Sequence, residues 1–370
     1  MKPVIPQRLP IQDVNWEILI PALGRANRAI AYYDGVLQGV PNPEVLLSPL
    51  TTQEAVLSSS IEGTQATLGD VLKFEAGEEP VQEEKRRDIQ EILNYRKALR
   101  EAEKELITRP FNLNLLLRLH SILLDSVRGL NKGRGTFRRE QNYIGLPNTP
   151  IEQAFFVPPS PLEIKDHLDN WEKYYHCDRP DGLVQLAVIH AQFEIIHPFL
   201  DGNGRLGRLI IPLFLFERKL LSRPMFYLSS WMEEHRDDYM KKLRALGQKE
   251  GAWNEWIEFF LIGVDEQARK NADKAREIMA LYGVMKEKVI QLTHSQFAVP
   301  LVDQLFERPI FSTAHLRFKS VKPSKPALAG MLRSLKAAGI LKVLHEGSGR
   351  RAAVYAFSEL INLCEEKKVF

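Results

Sequence analysis

Cysteine is nearly absent from this 370-residue chain, and the two that occur, Cys177 and Cys364, are far apart with no metal-type spacing. That pattern speaks against a disulfide framework and a cysteine zinc site, and it fits a reducing, cytoplasmic setting. Long apolar runs are missing too. Leu209–Phe216 is much too short to cross a bilayer, so no membrane is expected. The opening stretch MKPVIPQRLP has no apolar h-region, so no signal peptide is read. There is no low-complexity tract and no internal repeat. What remains, 44% apolar and 26% charged residues, is the composition of a globular protein, and the length predicts two or three domains.

Net charge is only +3, but it is unevenly placed. Between Ser312 and Arg351 stand nine Lys/Arg (Arg317, Lys319, Lys322, Lys325, Arg333, Lys336, Lys342, Arg350, Arg351) against one acid, Glu346. This marks the C-terminal part as a separate unit, with DNA as a candidate partner through 312–351.

Most of the chain reads as helix. Apolar residues recur at three- and four-residue spacing over Trp16–Leu37, Glu83–Leu106, Asn112–Val127, Leu162–His176 and Leu183–Ile196. Helix resumes over Leu206–Lys219 and Trp253–Leu292, the latter with a break expected near Gly263. Gly129–Pro159, rich in Gly, Pro, Asn and Thr, interrupts the pattern as a long loop or hairpin, with Thr136–Phe137 and Ala154–Val157 as extended pieces. From about Thr293 three helix-sized stretches follow, near Phe297–Phe306, Ser312–Phe318 and Ser324–Ala338. Strand-like Ile340–Leu344 and Ala352–Phe357 flank a turn at 346–349. Three helices and a hairpin with a basic tip form the winged helix-turn-helix pattern, with Ser324 capping the third helix.

One stretch carries chemistry: HPFLDGNGRLGR, His197–Arg208. Gly202–Gly207 formally matches G-x-G-x-x-G, but the preceding segment has helical rather than strand periodicity and no acid closes a second strand downstream. A P-loop fails as well, because Arg208 and Leu209 stand where Lys and a hydroxyl are needed. The elements themselves are informative. Pro198 ends the helix at His197, placing an imidazole able to take a proton at a helix–loop junction. Asp201–Gly202–Asn203–Gly204 makes a tight turn whose N–H groups and following helix N-terminus suit phosphate. Arg205 and Arg208 are near neighbours on that helix, and Asp201 is a hard oxygen ligand suited to Mg²⁺. Together they describe transfer of a phosphate-containing group onto a hydroxyl.

HPFLDGNGRLGR resembles the Fic-family signature HPFx[D/E]GNGRxxR at every fixed position. The resemblance implies a mainly α fold: a Fic-type helical bundle core with a β-hairpin flap, an N-terminal helical region and a C-terminal winged helix-turn-helix domain. The expected division is 1–82, 83–275, a linker helix 276–292, and 293–370. It further implies an adenylyltransferase that moves AMP from ATP to a Ser, Thr or Tyr hydroxyl of a target protein, with Mg²⁺. His197 would be the general base and Asp201 the metal ligand. Gly202, Asn203 and Gly204 would cradle the phosphates, and Arg205, Leu206, Gly207 and Arg208 would complete the nucleotide site. Gly133–Pro159 is similar to the family's flap, which docks the target, and Tyr239 to a wall of the adenine pocket.

A second stretch, SSSIEGTQATLGD, resembles the family's inhibitory motif [S/T]xxxE[G/N] with Ser58, Glu62 and Gly63 in place. The implied restraint is a charge-assisted pair between Glu62 and Arg208. Alternatives stay open at this point: a DNA-binding regulator with a nucleotide-sensing core, use of another nucleotide, or removal of AMP. A homodimer is a further expectation.

Overall fold

The computed structural model describes residues 3–125, 132–145, 150–246, 249, 251–318, 322–348 and 352–369. The expected basic residues Lys319, Arg350 and Arg351, flap residues 146–149, the stretch 126–131 that includes Val127 and Gly129, and the tip of the C-terminal hairpin lie outside these.

Fifteen helices and three short strands are assigned among the described residues. In the first third they are α1 (Trp16–Gly39), α2 (Pro43–Leu46), α3 (Ser48–Ser60), α4 (Leu68–Glu75) and α5 (Glu83–Leu106). Then come α6 (Leu113–Leu123), α7 (Ile164–His176), α8 (Gly182–Ile196), α9 (Asn203–Glu217), α10 (Ser229–Glu234), α11 (Arg236–Ala245) and α12 (Ala252–Thr293). The end of the chain holds α13 (Ala298–Glu307), β1 (Ile310–Ser312), α14 (Lys325–Ala337), β2 (Lys342–His345), β3 (Val354–Ala356) and α15 (Ser358–Glu365). The protein is mainly helical, as the periodicity predicts.

Contacts divide the chain into two compact units assembled from separate stretches. One comprises 1–34, 57–63 and 93–269. Its centre is α8, in which every residue from Leu183 to Ile196 except Glu194 is buried. The helix begins cleanly because Asp181 accepts hydrogen bonds from the N–H groups of Leu183 (2.7 Å) and Val184 (3.0 Å), which the first turn leaves without helical partners. Helices α7 and α9 pack on it, with Trp171, Phe193 and Phe214 in the core. This packing fixes the α8–α9 junction on which the site is built.

The other unit comprises 35–56, 64–92 and 270–370. Its three-stranded antiparallel sheet runs β1-β3-β2, with Ile310 opposite Ala356 and Val343 opposite Tyr355. Thr67 and Asp70 form a reciprocal capping box at the start of α4, which packs on β1. Ser324 caps α14 through Ala327 N–H at 3.4 Å.

Three local expectations are corrected. The helix over Ser312–Phe318 is absent: Ser312 closes β1, whose pairing with β3 supplies backbone hydrogen bonds, and a turn follows. Gly263 does not break α12. A Cβ there would lie 2.6 Å from the Trp231 ring, so the glycine admits an indole rather than ending the helix. Helix α9 begins at Asn203, three residues before the expected Leu206. No helix among the described residues is long and apolar enough to cross a membrane. Both cysteines are free.

Candidate active site

The α8–α9 junction is strained where it matters. His197 ends α8 with φ +47°, left-handed for a residue with a side chain, because Pro198 blocks continuation of the helix. Gly202 precedes α9 at φ +80°, a conformation that favours glycine. Between them the loop is held by Asn203, whose amide accepts from Phe199 N–H (2.9 Å) and donates to Phe199 O (2.8 Å). Its side chain is thus engaged by the loop itself. The first-turn N–H groups of α9 lack helical partners, a setting that favours an anion.

His197 is half-buried on a cavity of about 340 Å³. Burial pushes its imidazole down to about 4, with Arg138 acting in the same direction and Glu62 and Asp201 opposing. It is therefore neutral at physiological pH and able to accept a proton. The same cavity is lined by Glu62, Glu194, Gly204, Arg208, Tyr239 and Met240, and by Ile144 and Phe156 of the flap.

Arg208 is enclosed. Its Nε donates to Ser58 Oγ at 2.9 Å, and Nη2 donates to Ser58 O at 2.7 Å and to Glu62 Oε1 at 2.6 Å. Burial works against both charges of this pair, but each more than offsets it for the other: the Glu62 carboxyl is lowered and the guanidinium raised. Glu62 lies in the turn just beyond α3 rather than on the helix, and Gly63 follows at φ +98°. Arg236 of α11 donates to Ile61 O at 2.8 Å, fixing that turn. A Cβ at Gly204 would collide with Glu62 Oε1 and lie 2.9 Å from Arg208 Nη1, so glycine at 204 is what lets the carboxylate reach.

Asp201 and Arg205 are linked at 3.4 Å, with the Asp201 side chain 40% exposed. Among the described residues no group of three or more His, Cys, Asp or Glu is placed to hold a metal. A single exposed carboxylate at a helix N-terminus still fits Mg²⁺ carried in by nucleotide phosphates, which needs only one or two protein carboxylates. Leu206 is buried in the α9 core. Tyr239 is buried, its hydroxyl 2.9 Å from His190 Nε2, while His190 Nδ1 lies 3.2 Å from Gly207 O. A carbonyl only accepts, so Nδ1 carries the proton and Nε2 receives the Tyr239 hydroxyl hydrogen. Burial, which pushes His190 down to about 3, agrees with that neutral tautomer.

Three contributors had no signal of their own in the sequence. Arg138 donates from Nε to His197 O (2.9 Å), from Nη2 to Pro159 O (2.6 Å) and from Nη1 to Glu140 O (3.3 Å). Its backbone N–H reaches Pro198 O at 2.9 Å. His120 on α6 accepts from Gly135 N–H (3.0 Å), pairs with Asp201 O (3.0 Å), and stacks on Phe199 with centroids 3.8 Å apart. Glu194, one turn before His197, lies against Gly207, and burial raises its carboxyl to about 7. The flap itself is mostly irregular among the described residues: the hairpin expected there is one antiparallel bridge, Ile144–Phe156. Asn142 ties it to Phe199 O at 3.0 Å.

A half-buried, neutral histidine, a helix N-terminus and a restrained arginine thus meet on one helical scaffold. The chain matches the family model described as Fic/DOC family N-terminal over residues 20–104 and the Fic/DOC family model over 110–215. It belongs to the Fic/DOC family. It is 26% identical over 212 residues to a probable protein adenylyltransferase of Aquifex aeolicus (strain VF5), covering 56% of this chain and 58% of that one. It is 27% identical over 162 residues to the protein adenylyltransferase Fic of Drosophila mojavensis, covering 43% and 30%. The chain thus spans less than two thirds of either relative's length. In fold it is similar to a Fic family protein from Desulfovibrio desulfuricans G20, with TM-score 0.57 and 19% identity over 96% of this chain and 98% of that one.

Proposed function

We propose that this protein transfers AMP from ATP to a hydroxyl of a target protein, and that Glu62 restrains the reaction by holding Arg208. The observation that carries the reading is the convergence of His197, the N-terminus of α9 and a carboxylate-bound Arg208 on one cavity. Relatives named protein adenylyltransferase support the same chemistry.

In this reading the target's Ser, Thr or Tyr oxygen attacks the α-phosphorus while its proton passes to the neutral His197 ring. The bond from the α-phosphorus to its bridging oxygen breaks, and pyrophosphate leaves. Backbone N–H groups of Asn203 and Gly204 face the phosphates, and Arg205 and Arg208 take the outer ones. Asp201 would hold the accompanying Mg²⁺, which neutralises phosphate charge when bound. Tyr239 and Met240 wall the base, and the flap 133–159 lines up the target segment. While Glu62 and Ser58 occupy Nε and Nη2 of Arg208, the outermost phosphate cannot meet those donors.

The test is intact-mass spectrometry after incubation with ATP and Mg²⁺. Glu62→Gly should gain one AMP where the unaltered chain gains little, and Glu62→Gly/His197→Ala should gain none. Equal labelling of the unaltered and Glu62→Gly chains would remove the restraint; labelling that survives His197→Ala would remove the assigned base.

A further inference from the structure

The stretch that carries α13, α14 and the sheet has a distinctive surface. Between Thr293 and Lys368 no large apolar side chain among the described residues is exposed. Between Ser312 and Ser348 the charge it exposes is mostly positive: Arg317, Lys322, Lys325, Arg333, Lys336 and Lys342. The acid among them in sequence, Glu346, pairs with Lys336 at 3.0 Å.

Helix α14 concentrates this. Leu328, Met331, Leu332 and Leu335 face the core, and the helix contains no acid. At about 100° per residue Lys325, Arg333 and Lys336 fall within an arc of roughly 80° along one flank of the exposed face, its middle about 110° from that of the apolar stripe. The rest of the exposed face is short side chains: Pro326, Ala327, Ala329 and Ala337. A helix so trimmed is narrow. Eight residues at about 1.5 Å rise place Lys325 and Arg333 roughly 12 Å apart along the axis, close to the width of about 12 Å of a B-form major groove.

We propose that the exposed face of α14 is a docking surface for double-stranded DNA. Charge complementarity selects a polyanion, and the lack of exposed apolar side chains disfavours a membrane or an apolar protein partner. The small side chains select a groove, since they let the helix backbone approach base edges while lysine and arginine reach the flanking phosphates. A-form RNA has a major groove too deep and narrow for this helix. Nothing in the inference depends on the group-transfer reading of the other unit.

The experiment is fluorescence anisotropy of the full chain with a fluorescein-labelled mixed-sequence DNA duplex of about 24 base pairs, at roughly 50 and 200 mM salt. Micromolar binding is expected at the lower salt, weakening about 100-fold at the higher if four phosphates are contacted. Lys325→Gln/Arg333→Gln should weaken binding at low salt at least about 10-fold and lower the salt slope by about 2. Arg333→Gln alone should lower the slope by about 1. Lys286→Gln/Lys288→Gln, a matched charge loss on the exposed part of α12, should change neither. No salt-dependent binding, or equal losses in the α14 and α12 variants, would overturn the proposal. So would equal or tighter binding of the same sequence as duplex RNA, or displacement of the DNA by poly-glutamate at equal charge concentration.

Discussion

Arg138 donates to the backbone carbonyl of His197 and, from the same guanidinium, to that of Pro159, so one side chain joins the end of α8 to the far foot of the flap. It is buried and, although burial lowers it to about 10, still charged at neutral pH. Arg138→Lys keeps the charge but loses the planar fork that reaches several carbonyls at once. In a Glu62→Gly background we expect Arg138→Lys to lower kcat about 10-fold or more, with a smaller change in KM for ATP. Arg138→Ala should in addition cost roughly 2–3 kcal/mol of stability by leaving buried carbonyls unpaired. Steady-state kinetics and urea unfolding check both.

His120 is a strut under the same loop, bridging Gly135 N–H and Asp201 O. Burial holds it neutral by pushing it down to about 4, so it accepts on Nδ1 and donates from Nε2. His120→Phe preserves the stack on Phe199 and removes both hydrogen bonds. We expect it to weaken the apparent affinity for Mg²⁺ in labelling, raising the half-saturating Mg²⁺ concentration several-fold, because the Asp201 backbone loses its anchor. An unchanged Mg²⁺ titration would leave His120 as packing only.

Glu194 gives a pH signature. Its folded carboxyl sits near 7 against an ordinary 4.5. A group held more protonated in the folded state makes stability fall as pH rises through that window. The penalty is absent below about 4.5 and complete above about 7. Glu194→Gln removes it, so the variant should be more stable than the parent at pH 8 by on the order of 1–2 kcal/mol, and by little at pH 5. Thermal unfolding at the two pH values measures this; equal stabilisation at both contradicts the assignment.

His197 predicts the acid limb of the reaction. Because burial lowers it to about 4, kcat/KM in the Glu62→Gly protein should stay level from pH 8 down to about 5 and fall only below that. An ordinary imidazole would lose half its activity near 6.5. Removing the Glu62 charge, which raises the ring, moves the limb further down.

The sequence located the helices of the main unit closely; α5 matches at both ends and α8 to one residue. Those elements are long and strongly periodic, and their caps are local. The site was legible where chemistry demands adjacent residues, as in His197–Arg208. It was illegible where it depends on contacts distant in sequence. Arg138 and His120 carry no spacing that marks them, because their partners are backbone carbonyls and N–H groups, which every residue has. Gly263 misled for a related reason: glycine signals a turn and a close approach alike, and only the Trp231 ring, 32 positions earlier (263 − 231), tells them apart. The stretch from Ser312 misled because Ile310–Ser312 becomes a strand only when a partner strand, here β3, arrives from further along the chain, and a turn then takes the place of the expected helix.

Gly204 has a consequence of its own. The carboxylate of Glu62 rests on the place where any other residue would have a methyl group. A single added carbon at 204 would therefore evict the acid by bulk, leaving its charge and that of Arg208 untouched. The contact is as much a lock shaped by an empty socket as an attraction between opposite charges, and it can be opened from either side.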